Sequence, residues 1–76
     1  MIQDQRTEQG HRVRCHLDAL LIDRTMTLAE LSSRAGISVA NLAVLKNGRA
    51  RAIRFSTLTA VCDVLECRPG DLLSLN

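Results

Sequence analysis

Tryptophan and tyrosine are absent, and Phe55 is the single aromatic residue. A core without rings has to come from Leu, Ile, Val, Met, Ala and Cys, the palette common in small helical bundles. No apolar run exceeds a few residues, so there is neither a membrane span nor the apolar stretch of a secretory signal. The three cysteines, Cys15, Cys62 and Cys67, are an odd number. Without export signals the simplest expectation is reduced thiols in a cytoplasmic protein. Acidic residues are missing altogether between positions 31 and 62, a stretch that carries Arg34, Lys46, Arg49, Arg51 and Arg54.

What is present is an ordinary globular composition, 46% hydrophobic and 24% charged, in 76 residues. That is one domain near the small end of what folds alone. The net charge of +2 conceals an asymmetry: five cations without an acid in the middle, five cations against eight acids elsewhere. Such a basic segment is the footprint of a surface that faces phosphates, a solvated basic loop being the plainer alternative.

Residues 1–11 are polar and aperiodic and are expected to form a flexible arm ahead of a domain over 12–76. Beyond them the apolar residues recur at helical spacing. Val13, Leu17, Leu20 and Leu21 make one face, Leu28, Leu31, Ser32 and Ala35 a second, and Leu58, Val61, Cys62 and Leu65 a third. No alternation of strand type competes, so the expected class is all-α, with helices near 12–24, 28–35, 39–46, 55–66 and 69–74.

Local chemistry marks the ends. Thr27 and Glu30 have the spacing of a capping box, with Met26 and Leu31 placed as its staple. Gly36 suits the left-handed residue that stops this helix, and Ser38 caps the next at once, with Ile37 and Leu42 as staple and Asn47-Gly48 as its close. Two short capped helices joined by Gly36-Ile37-Ser38 are a helix-turn-helix by sequence chemistry. The fourth helix begins at Arg54 by staple spacing, Ile53 to Leu58, or at Ser56 by side-chain chemistry. Pro69 suits the first position of a last helix, with Asp71 in its first turn.

From Leu17 to Leu75 the chain resembles the lambda-repressor-like (Cro/Xre) helix-turn-helix family of bacterial and phage regulators. The match lies in Thr27-Leu-Ala-Glu-Leu31, Gly36-Ile-Ser38, Leu42 and Leu45-Lys-Asn-Gly-Arg49. Thr57-Leu58 and the run Cys62-Asp-Val-Leu-Glu-Cys-Arg-Pro-Gly-Asp-Leu-Leu73 are similar to a compact single-domain subgroup. The resemblance implies a five-helix domain whose third helix enters the major groove of double-stranded DNA, in a regulator, a repressor above all, that acts as a homodimer. It places base-facing positions on Val39, Ala40 and Val44, with Asn41 and Ala43 beside them. Phosphate-facing positions fall on Leu28, Asn47, Arg49 and Arg54, with Ser38, Lys46 and Arg51 nearby. Exposed candidates for the dimer surface are Ile22, Val64, Leu73 and Leu75.

The reading positions depart from the family's habit of Gln, Arg or Asn. Valine and alanine can touch a thymine methyl but make no bidentate pair with a base edge. Val39, Ala40, Ala43 and Val44 also make an exposed apolar strip, which suits a protein partner, as in an antitoxin or anti-repressor. Catalysis is not expected: His11 and His16 are the only histidines, and no nucleophile, base and acid are suitably spaced. Cys15-His16 and Cys62-x4-Cys67 lack the paired spacing of structural zinc, and buried thiols are the plainer reading. No cofactor, metal or small-molecule substrate is implied.

Overall fold

The computed structural model describes residues 11–75. The expected arm therefore lies outside the described residues except for His11. Five helices run in order: α1 Leu17–Asp23, α2 Leu28–Ala35, α3 Val39–Lys46, α4 Phe55–Leu65 and α5 Pro69–Leu72. None is long and apolar enough to cross a membrane.

The all-α expectation needs correction. Strand β1, Val13–Cys15, pairs antiparallel with β2, Leu73–Leu75, in the register Val13 with Leu75, Arg14 with Ser74 and Cys15 with Leu73. The first helix consequently starts at Leu17 rather than near 12, and the last ends at Leu72 rather than 74. Two three-residue strands are not stable by themselves. They form because Cys15 and Leu73 pack against the core while the His16 amide donates to the Leu72 carbonyl at 2.7 Å. The His16 ring and the Ser74 hydroxyl are hydrogen-bonded at 2.6 Å, a further tie between the two ends. Val13, counted on a helix face by periodicity, is 42% exposed.

The core is drawn from all five helices: Leu17 and Leu21, Leu31, Leu42 and Leu45, Val61, Cys62 and Leu65, and Leu72. No polar side chain is buried among the described residues. α2 packs on both α3 and α4, and α1 packs on α3. The caps follow their sequence chemistry. Thr27 Oγ1 accepts from the Glu30 amide at 3.0 Å, and the Thr27 amide donates to the Glu30 carboxylate at 2.9 Å. Ser38 Oγ accepts from the Asn41 amide at 3.1 Å. For α4 the cap is Arg54, by backbone conformation and without a side-chain bond, as the staple spacing favoured. In α5 Pro69 takes the first turn, and Asp71 accepts from the Arg68 amide at 3.0 Å.

Four helices end in one way. The left-handed residues are Thr25, Gly36, Gly48 and Glu66, with φ of 54°, 72°, 76° and 53°. In each case the next amide returns to the carbonyl five residues back. The four bonds are Met26 to Leu21 at 2.9 Å, Ile37 to Ser32 at 3.3 Å, Arg49 to Val44 at 3.0 Å and Cys67 to Cys62 at 3.0 Å. This is the Schellman closure, which turns the chain sharply and sets the two residues of each pair side by side. Repetition of a short, stiff exit is what lets helices of 7, 8 and 8 residues fold back on one another.

Candidate nucleic-acid interface

The turn between α2 and α3 is fixed from both sides. Gly36 provides the left-handed residue, and the Ser32 carbonyl accepts from the amides of Gly36 and Ile37 at 2.9 and 3.3 Å. The Ser32 hydroxyl then donates to the Ile37 carbonyl at 2.6 Å. From sequence, Ser32 is only a small residue on a packing face; its hydroxyl proves to be the clasp of the turn. No local pattern announces that bond, because the acceptor lies beyond the helix end.

α3 is held by Leu42 and Leu45, both buried. Its other side carries Val39, Ala40, Asn41 and Val44, all exposed, whereas Ala43 is half-buried. Val39 and Val44 are 45% and 43% exposed. The base-facing set named from the resemblance is therefore exposed apart from Ala43, but Val39 and Asn41, two residues apart, stand on opposite flanks of that surface. Ser38 and Asn47 stand at the two ends of the helix as its caps, and both are exposed.

The loop that follows folds back beside this helix. Arg49 is the residue after left-handed Gly48, so the closure sets it against the last turn of α3. Asn41 and Val44 of α3 and residues Arg49 to Arg54 of the loop line one open groove, whose floor includes Leu42, Leu45 and Ile53. Arg49, Arg51 and Arg54 are all exposed. Between 31 and 62 the segment itself holds no acidic side chain.

Two of the phosphate-facing candidates also make contacts inside the protein. Lys46 is half-buried, and its ammonium lies 3.8 Å from the Asp18 carboxylate of α1. Its charge thus faces another helix before it faces any phosphate. Leu28, at a phosphate-facing position of the family, is half-buried and packs against the core.

Two groups escape sequence reasoning altogether. His11 accepts from the Val13 amide at Nδ1, 3.0 Å away, which leaves Nε2 to carry the proton and donate to the Ala50 carbonyl at 3.2 Å. That bond ties the segment ahead of β1 to the middle of the basic loop. Arg24, at the end of α1, donates to the carbonyls of Leu65 and Glu66 at 2.8 and 3.4 Å and so caps the end of α4. Its guanidinium also meets the Asp23 carboxylate at 2.6 Å. Both ties join residues some 40 positions apart, where no sequence periodicity reaches.

Comparison with known proteins matches this arrangement. Residues 16–76 match the model of the Cro/C1-type helix-turn-helix DNA-binding domain. An uncharacterised HTH-type transcriptional regulator of Bacillus subtilis (strain 168), YozG, is 57% identical over 58 residues, which are 76% of this chain and 69% of that one. The crystal structure of the transcriptional regulator VanUg, form II, superposes with a TM-score of 0.71 at 33% identity, over 86% of this chain and 85% of the other. The chain belongs to the Cro/C1-type helix-turn-helix family of DNA-binding transcriptional regulators.

Proposed function

We propose that this regulator reads duplex DNA by laying the outer side of α3 in the major groove while the loop from Arg49 to Arg54 holds the phosphates alongside. The observation that carries the reading is the shared groove: Asn41 and Val44 stand on its α3 side, and the other side is a loop bearing three exposed arginines. Spacing of that kind lets base edges and backbone be contacted together. In the groove Asn41 is the best reader of a base edge, since its amide can pair with adenine, and outside it Val39 is the best contact for a thymine methyl. Ala40, Ala43 and Val44 add apolar surface. Phosphate binding falls to Arg49, Arg51 and Arg54, with Ser38 and Asn47 at the helix ends and Lys46 in a lesser part because of Asp18.

Action as a repressor through a symmetric homodimer completes the proposal, since paired half-sites multiply the few base contacts one α3 can make. Ile22 and Leu75 are the well-exposed members of the surface set, at 72% and 68%, whereas Val64 and Leu73 are half-buried against the core.

A second reading uses the same valines. Val39 and Val44 stay open on a helix with few polar groups, which also suits an apolar protein partner of the antitoxin or anti-repressor type. Salt separates the two. Selection of duplexes from a random pool, followed by titration across ionic strength, should give affinity that falls steeply with salt. Salt-insensitive or undetectable DNA binding would favour the protein partner.

A further inference from the structure

Away from α3, the end of α4 brings two thiols together by backbone geometry. Glu66 is left-handed at φ 53°, its amide donates to the Asp63 carbonyl at 3.3 Å, and the Cys67 amide donates to the Cys62 carbonyl at 3.0 Å. In a closure of this type the residues at its two ends are the pair whose side chains meet. Here both are cysteines, so the closure that joins the Cys67 amide to the Cys62 carbonyl sets the two side chains beside each other. Cys62 is buried and Cys67 half-buried. Both line a small solvent-open notch with Phe55, Leu58 and Pro69, and Phe55 is 84% exposed at its rim. Cys15, in β1, is no part of this notch.

We propose that Cys62 and Cys67 form a dithiol site that small-molecule disulfides oxidise to an intramolecular disulfide. The more exposed Cys67, as thiolate, attacks one sulfur of R–S–S–R, breaks that bond and releases RS⁻, leaving a mixed disulfide. Cys62, as thiolate, then attacks the Cys67 sulfur, forms the Cys62–Cys67 bond and expels the second RS⁻. The two thiol protons end on the two released thiolates. The protein loses two electrons and the small disulfide gains them. Burial, with Cys67 adding to it, pushes the Cys62 thiol up to about 11, so the second step is slow, and the equilibrium rather than the rate reports the geometry.

The test uses the full chain in glutathione buffers of graded oxidised-to-reduced ratio, brought to equilibrium, quenched with acid and read by intact mass and peptide mapping. If the fold pre-positions the pair, half-closure occurs at a ratio about tenfold lower, or more, in native buffer than in concentrated urea. The product is a monomer that has lost two hydrogens, with Cys15 still open to alkylation, and Cys67→Ser yields no such species. Closure at an equal or higher ratio in native buffer than in urea would overturn the proposal. So would a glutathione adduct that stays on Cys67, or a disulfide between chains.

Discussion

Thr25 and Glu66 adopt the left-handed conformation that Gly36 and Gly48 adopt at the other two closures. Left-handed backbone costs a residue with a Cβ roughly 1–2 kcal/mol, and more discomfort falls on a β-branched side chain. Glycine escapes that cost but gives up about 0.5–1 kcal/mol of backbone entropy. Thr25→Gly and Glu66→Gly should therefore each stabilise the fold by ~0.5–1 kcal/mol in denaturant titrations. A drop in stability for both would mean that these side chains make interactions worth more than the strain. Cys62 makes a second prediction. Burial first, and Cys67 next, raise its thiol from 9.0 to about 11, and burial also raises Cys15. A raised thiol favours folding only while it is neutral in both states. The stabilisation is whole below pH 9 and is lost as pH climbs from 9 towards 11. Wild-type stability should decline through that window, and Cys62→Ala should flatten the decline while costing ~1–2 kcal/mol at neutral pH through reduced burial. An unaltered alkaline slope in that variant would remove Cys62 from the effect.

Between elements, the clasp of the α2–α3 turn and the loop after α3 make separate demands. Ser32→Ala leaves the Ile37 carbonyl without its 2.6 Å donor, and should cost about 1 kcal/mol of stability with the exposed surface of α3 otherwise intact. No change on unfolding would show water replacing the hydroxyl at no cost. For the loop, Arg49→Ala and Arg54→Ala should weaken binding about equally on every DNA sequence. Each should reduce the slope of log affinity against log salt by roughly 0.9 for every phosphate that is no longer neutralised. An unchanged slope for both would take them out of the backbone interface. The helices, caps and turns around this site are legible in sequence because capping and closure are local: Thr27 with Glu30, Gly36, Ser38 and Pro69 act within a few residues. The two strands are not legible. Val13 to Cys15 fits a 3.6-residue spacing as well as any other, and only the distant Leu73 to Leu75 makes it extended. Lys46 illustrates the same limit in the site, since its partner Asp18 sits on another helix.

At the scale of the molecule, the nine-residue apolar core and the pairing of β1 with β2 leave α3 and the basic loop on an open surface. Membership of the Cro/C1-type family makes this chain a DNA-binding regulator in general terms. Its α3 offers little polar chemistry, with Asn41 the one exposed side-chain amide between Val39 and Lys46. Affinity in this account comes mostly from phosphates, and discrimination from few base edges. The most direct measurement titrates wild type, Asn41→Ala and Val39→Lys against a selected duplex and a scrambled one at fixed salt. Asn41→Ala should lose ~1–3 kcal/mol on the selected duplex and little on the scrambled one. Val39→Lys should bind the scrambled duplex more tightly and narrow the gap between the two. Equal affinities of all three proteins on both duplexes would contradict the placement of α3 in the major groove.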